Sequence, residues 1–223
     1  INGDTNNLNL QKENVKIWNK NASREFLNSR GLYHLKENDL GPVYGHQWRF
    51  WNAKYIDCNQ SYQNKGIDQL NGIINDLNNN NFSRRLIMTA WNPEQINEMA
   101  LPPCHVLSQF HVNDKRELSC SLYQRSGDVG LGIPFNILSY SLLTRLLAHH
   151  CNLNCGEFIH HIGDAHIYEN HITTLEKQIK LKPYDFPKLY IKNHRENIDK
   201  YILSDFLIEN YNSHGVKNME MIA

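Results

Sequence analysis

Leu101-Pro-Pro-Cys104-His105 and, a short way on, Tyr123-Gln-Arg125-Ser-Gly-Asp128-Val-Gly-Leu-Gly-Ile-Pro-Phe-Asn136 bring a cysteine, an arginine, a glycine-rich bend and an asparagine into one segment. Two prolines hold the backbone away from helix, so Cys104 enters the strand Val106 to Val112 at a fixed angle. Glu117 to Gln124 alternates Leu118, Cys120 and Leu122 against Ser119, Ser121 and Tyr123, the pattern of a half-buried strand. Its end delivers Arg125 and Ser126 into Gly127-x-x-Gly130-x-Gly132, where backbone amides can approach an anion. The glycine order is not that of a dinucleotide-binding loop. Pro134 suits the first turn of an apolar helix to about Cys151, carrying Ile137, Leu138, Leu142, Leu143, Leu146 and Leu147 toward the core. A cysteine set by a rigid turn beside a histidine is either a nucleophile or a buried inert thiol.

Working outward, Val15-Lys-Ile-Trp18 reads as a short strand, and Ser23 caps a helix ending at Gly31. Gly41-Pro-Val-Tyr44-Gly-His-Gln-Trp48-Arg49 reads as a ligand-facing loop or as a turn with Trp48 in the core. Ile67, Leu70, Ile73, Ile74 and Leu77 have helical spacing, closed by the asparagine run 78–81. Arg84 and Arg85 precede Leu86 to Trp91, an apolar run read as a buried strand, and such a pair can clamp a phosphate or face solvent. Phe158 to Tyr168 reads as a strand with His166 and Tyr168 on one face. His149, His150, Cys151 and Cys155 lack a second ligand pair at customary zinc spacing, and no metal is expected. Asn170 to Lys180 reads as a helix, Lys188 to Lys192 and Ser204 to Tyr211 as strands, and the apolar end 218–223 as a docking segment.

The 223 residues suffice for one domain, 1–223, with a sizeable core. Lys+Arg and Asp+Glu balance at 23 each, so no global field draws nucleic acid or an anionic membrane, and any anion must be caught locally. Five cysteines without a Cys-x-x-Cys pair fit reduced thiols and a cytoplasmic setting. Neither a signal peptide nor an apolar run of membrane-spanning length is present in this stretch.

Taken in order, Gly-Pro-Val-Tyr44-Gly-x-Gln-Trp-Arg, Ser-Arg84-Arg85, Ala-Leu-Pro-Pro-Cys104-His, Tyr-Gln-Arg125-Ser-x-Asp128, Gly-Leu-Gly-x-Pro-Phe-Asn136 and Gly-Asp-Ala-His166-x-Tyr168 resemble thymidylate synthase. The likeness runs from about Val15 to Ala223. It implies an α+β fold on a large bent mixed sheet flanked by helices, and a homodimer packed sheet to sheet. The implied reaction is reductive methylation of dUMP to dTMP, with 5,10-methylenetetrahydrofolate giving both carbon and hydride and leaving as dihydrofolate. Cys104 matches the nucleophile that adds to C6 of uracil, with His105 beside it. Tyr44 matches the network assisting proton removal from C5, Asn136 the reader of the uracil edge, and Asp128 the residue at the pyrimidine and folate. Gln124, Arg125, Ser126, His166 and Tyr168 match substrate ligands, while Arg84 and Arg85 match the pair reaching the phosphate in the partner's site. Ile17, Trp18, Asn21, Asp128, Leu131, Gly132, Phe135, Tyr168, Met221 and Ala223 match positions lining or closing over the folate.

There are departures from the family pattern. Its usual N-terminal segment bears another phosphate-binding arginine and a glutamate that organises active-site water, and the sequence from Ile1 starts after both. One extra residue near Asn113 to Arg116 is expected to enlarge a hairpin turn. In some protists the synthase follows a dihydrofolate reductase in one polypeptide, and this Asn-rich chain suits that arrangement. A catalytically silent homologue binding nucleotide through the same pocket is the competing reading, disfavoured by the joint presence of Cys104, Arg125, Asn136 and Tyr44. A cysteine hydrolase using Cys104 and His105 is disfavoured because neighbours on a strand point to opposite faces.

Overall fold

Leu118, Cys120 and Leu122 are fully buried while Tyr123 is 47% exposed, the period-2 signature of a strand with one face on a core. The computed structural model describes residues 1–215 and 219–221. Among these, the helices are α1 (Asn7–Lys12), α2 (Arg24–Ser29), α3 (Tyr44–Phe50), α4 (Gln69–Asn79), α5 (Gly132–His150) and α6 (Ile172–Gln178). The strands are β1 (Ile87–Thr89), β2 (His105–Val112), β3 (Glu117–Asp128), β4 (Asn154–His166), β5 (Lys188–Ile191) and β6 (Phe206–Glu209). The result is an α+β fold with a mixed four-stranded sheet, β1-β2-β3-β4, and a separate β5-β6 hairpin.

β1, β2 and β3 pair antiparallel, and β3 pairs β4 in parallel. A parallel pair requires a crossover, which α5 supplies by packing against both strands. The β2–β3 turn at Asn113–Arg116 places Arg116 at φ +62°, and Asn113 Oδ1 closes it by accepting from Glu117 N at 2.9 Å. Irregularities in register at His105/Leu107 and Leu118/Cys120 interrupt the ladders.

One core lies between the sheet, α4 and α5, with Phe110, Leu118, Leu122 and Leu147 at 1% exposure or less. A second gathers Ala22, Leu27, Leu40, Val43, Tyr55, Tyr62 and Met99 under α2 and α3. Local chemistry sets the helix starts: Ser23 Oγ accepts from Phe26 N at 3.2 Å, and Asp68 Oδ1 from Asn71 N at 3.0 Å. Arg49 ties the two regions, holding Asp68 at 3.0 Å and Asp199 at 2.6 Å.

Several elements differ from the sequence reading. Val15 to Trp18 is not a strand: among the described residues no ladder is beside it, and Asn19 N→Lys16 O and Ala22 N→Trp18 O close turns instead. The Gly41–Arg49 stretch is mostly helix, with Gly41 at φ +72° and Val43 extended ahead of α3. β3 continues through Arg125 and Gly127 to Asp128, because β4 pairs with it as far as His166. The apolar run after Arg85 yields only the short edge strand β1. Ile67, Ile137 and Leu138 are 62%, 45% and 59% exposed, since α4 begins after Ile67 and α5 is covered only from Tyr140 onward. α1 lies in a polar, Asn-rich stretch for which the sequence reading named no element, and its Asn7 is fully buried against Asn19 and Asn38.

Candidate active site

The sheet order makes the site. β2 runs opposite to β3, so the start of β2 lies beside the end of β3, and parallel β4 ends there too. Cys104 O accepts from Arg125 N at 2.9 Å, while Ser126 and Asp128 face Asp164 and His166. α5 begins four residues after β3, so its exposed first turns overhang the same place. α3 and the turn before α2 close the other side, enclosing a cavity of about 630 Å³, a size suited to small-molecule ligands.

Cys104 is half-buried, and its backbone N–H donates to Tyr44 Oη at 2.8 Å. Tyr44 also stacks obliquely on His105, whose ring meets Tyr140 edge to face, each pair 5.1 Å apart. Burial, then the nearby Cys104, pushes the Tyr44 hydroxyl well above its usual range. Burial lowers His105 to about 4, against an upward pull from the Asn136 side chain. Both groups are therefore uncharged near neutral pH.

Arg125 packs its guanidinium on the proline turn, donating from Nε to Pro103 O at 2.9 Å and from Nη2 to Pro102 O at 3.0 Å. Among the described residues Nη1 has no hydrogen-bond partner. The positive charge is thus fixed beside the turn that carries Cys104. The amides of Gly130 and Leu131 are engaged internally, donating to Asp128 Oδ1 at 2.9 Å and Oδ2 at 3.2 Å. The glycine bend therefore orients Asp128 and does not present these two amides to an external anion.

Gln124, 1% exposed, donates from Nε2 to Ser126 O at 2.8 Å and to Asn136 Oδ1 at 2.9 Å. A carbonyl oxygen only accepts, so Ser126 fixes which end of the Gln124 amide faces it, and Gln124 in turn fixes Asn136. Asn136 then keeps an oxygen lone pair and its NH₂ for a ligand. On the far wall Trp18 and Ile17, with Phe135 from the first turn of α5, supply apolar surface to the cavity, which Asn21 also lines; the buried Nδ2 of Asn21 has no partner among the described residues. Aromatic surface with a free amide donor fits a flat heteroaromatic ring system.

Of the expected residues, Ile17, Trp18, Asn21, Tyr44, Cys104, His105, Gln124, Ser126, Asp128, Gly132, Phe135, Asn136, His166, Tyr168 and Met221 line this cavity. Tyr168 lies just past β4, and its ring meets that of His166 at 5.2 Å. Arg125 and Leu131 are not among the lining residues, and Arg84 and Arg85, exposed ahead of β1, are not either. Ala223 lies outside the described residues. Glu220 O accepts from the buried His171 Nε2 at 2.7 Å, which seats Met221 at the cavity. Leu101, Ser139, Tyr140, Leu142 and Leu143 also line the cavity and were not anticipated, and so does Trp48, whose stretch was read either as ligand-facing or as a turn with Trp48 in the core. Helical spacing held the signal: Trp48 is four residues after Tyr44, and Ser139 and Tyr140 are three and four after Asn136.

Near the end of α5, His149 Nε2 pairs with Asn193 O at 3.2 Å and the backbone carbonyl of His150 with His194 Nε2 at 3.1 Å, while the buried Nδ1 of His150 has no hydrogen-bond partner among the described residues. All five cysteines are free. Among the described residues no helix is long and apolar enough to cross a membrane.

A family model described as thymidylate synthase matches residues 1–223. The chain belongs to the thymidylate synthase family. It is 54% identical over 221 residues to a bifunctional dihydrofolate reductase-thymidylate synthase of Paramecium tetraurelia, covering 99% of this chain and 47% of that protein. A Plasmodium berghei protein of the same name is 50% identical over 223 residues, covering 100% of this chain and 38% of that protein. Human thymidylate synthase is 52% identical over 221 residues, covering 99% of this chain and 70% of that protein. The chain thus spans about half or less of the bifunctional relatives named here.

Proposed function

We propose that the chain is a single catalytic domain, 1–223, that methylates dUMP reductively to dTMP with 5,10-methylenetetrahydrofolate, and that it forms part of a bifunctional dihydrofolate reductase-thymidylate synthase in the cytoplasm. The observation that carries this is the convergence of Cys104, Tyr44, Asn136 and the His166–Tyr168 pair on one cavity. Cys104 adds to C6 of uracil, making C5 nucleophilic toward the folate methylene. Asn136, set by Gln124, accepts from N3–H and donates to O4. Cytosine offers the reverse pattern. His166 and Tyr168 hold the sugar hydroxyl, Asp128 stands at the pyrimidine–folate boundary, and Tyr44 serves the removal of the C5 proton. Trp18, Asn21, Phe135 and Met221 enclose the folate, which supplies the one-carbon unit and the hydride.

Arg125, with Nη1 uncommitted, and Ser126 bind the phosphate, joined by Arg84 and Arg85 of a second copy. The open face of the sheet supports a sheet-to-sheet homodimer: Ile87, Tyr123 and Ile159 are 43%, 47% and 37% exposed there, and apolar side chains on an uncovered sheet face favour association. The test is trapping with 5-fluorodeoxyuridylate and methylenetetrahydrofolate in the full-length protein. A covalent ternary adduct is expected from wild type and none from Cys104→Ser. Wild-type protein without an adduct would sink the reading.

A further inference from the structure

His160 is the outermost member of the amide chain behind the base reader, and the family likeness and the motifs give it no role. It sits on the inward side of β4 with Phe158 and Ile162, all half-buried, whereas Ile159 and His161 are exposed. His160 Nε2 lies 2.8 Å from Gln124 Oε1. Since Ser126 O fixes Nε2 of Gln124, Oε1 is the acceptor toward His160, so His160 Nε2 must carry a hydrogen. Neutral and protonated rings meet that demand alike.

We infer that His160 is a specificity-positioning residue: its Nε2–H pins Oε1 of Gln124, so that Gln124 Nε2 stays on Asn136 Oδ1 and the Asn136 amide keeps the orientation that accepts uracil and refuses cytosine. The inference rests on the uracil-reading role of Asn136 proposed above. Gln124 is almost fully buried, so without His160 its oxygen loses its one hydrogen-bond partner among the described residues and has little accessible surface with which to meet water. An unsatisfied buried acceptor of that kind is costly enough to drive a side chain to another rotamer. Gln124 swinging or flipping away from Ser126 and His160 removes the donor that holds Asn136 Oδ1. The Asn136 amide can then turn over, presenting its NH₂ where N3 of cytosine accepts and its oxygen where the 4-amino group donates. Phe158, whose ring lies 5.3 Å from that of His160, limits the imidazole's own freedom to swing off Gln124.

The test compares dUMP and dCMP binding in full-length protein carrying His160→Gln or His160→Glu, with kcat and KM for dUMP alongside. Glutamine keeps an N–H donor, and it should hold the dUMP-to-dCMP preference within about threefold of wild type. Ionised glutamate opposes Oε1 with an acceptor, and the preference should fall by at least about tenfold, through weaker dUMP and stronger dCMP binding together. A merely structural role would weaken both nucleotides in proportion, leaving the ratio unchanged, and that result would overturn the inference. His160→Leu removes the donor without adding charge; it should lower the preference in the same direction and replaces the glutamate variant if that one does not fold. Wild type that binds both nucleotides equally would instead refute the uracil-reading role itself, so the two failures are distinguishable.

Discussion

The amide of Cys104 donates to the hydroxyl of Tyr44 across sixty positions of sequence, 2.8 Å apart. This one bond joins the proline turn on the sheet side of the cavity to α3 on the other. The Tyr44 proton is left free to serve a second partner, because the hydroxyl oxygen is the acceptor here.

Tyr44→Phe should therefore separate two steps. The adduct with 5-fluorodeoxyuridylate, which requires no removal of a C5 proton, should still form and show by mass spectrometry. Turnover of dUMP should fall by about 10²-fold or more, the range expected for loss of an assisted proton transfer. Parallel loss of adduct and turnover would mean that Tyr44 only supports the Cys104 turn.

Arg84→Ala/Arg85→Ala chains mixed with Cys104→Ala chains should regain activity if the arginines work in trans. Random reassortment puts one intact site in half of the dimers, so about a quarter of wild-type activity is the expected plateau. Exchange is checked independently with tagged chains, and exchange without rescue would count against shared sites.

Acid sensitivity should track His105. Its folded value is held at about 4 by burial against an ordinary 6.5, so as pH falls through that window the unfolded chain takes up a proton that the native state refuses. Stability should decline from pH 6.5 to 4 and be insensitive to this group above it. The contribution is of order 1–3 kcal/mol. His105→Gln should show a correspondingly shallower fall in denaturant midpoint over that range; an unchanged slope would be contrary.

Phe110 is 1% exposed at the centre of the sheet core. Phe110→Ala should cost about 3–5 kcal/mol through lost burial and the cavity left behind. Urea unfolding at fixed protein concentration measures this, while Tyr123→Ala on the open sheet face should leave the fold of one chain nearly intact and act on association instead.

Sequence alone determined the elements whose causes are local. Alternation over Leu118, Cys120 and Leu122 gave β3, helical spacing over Leu70 to Leu77 gave α4, Ser23 gave the start of α2, and the ordered motifs gave the family. Where a neighbour decides, the sequence was mute or misleading. β3 continues past Gly127 because β4 pairs with it, α5 leaves Ile137 and Leu138 bare because the sheet ends beneath it, and Val15 to Trp18 found no ladder. The same distinction holds in the site. Residue types marked Cys104, Tyr44 and Asn136 as chemical, since those groups have few other uses together. Which way the Asn136 amide points, where Arg125 rests its guanidinium, and what His160 holds are set by partners 12, 22 and 36 positions away. Hydrogen-bond direction is a property of two groups in space, and only the tertiary structure brings the second one.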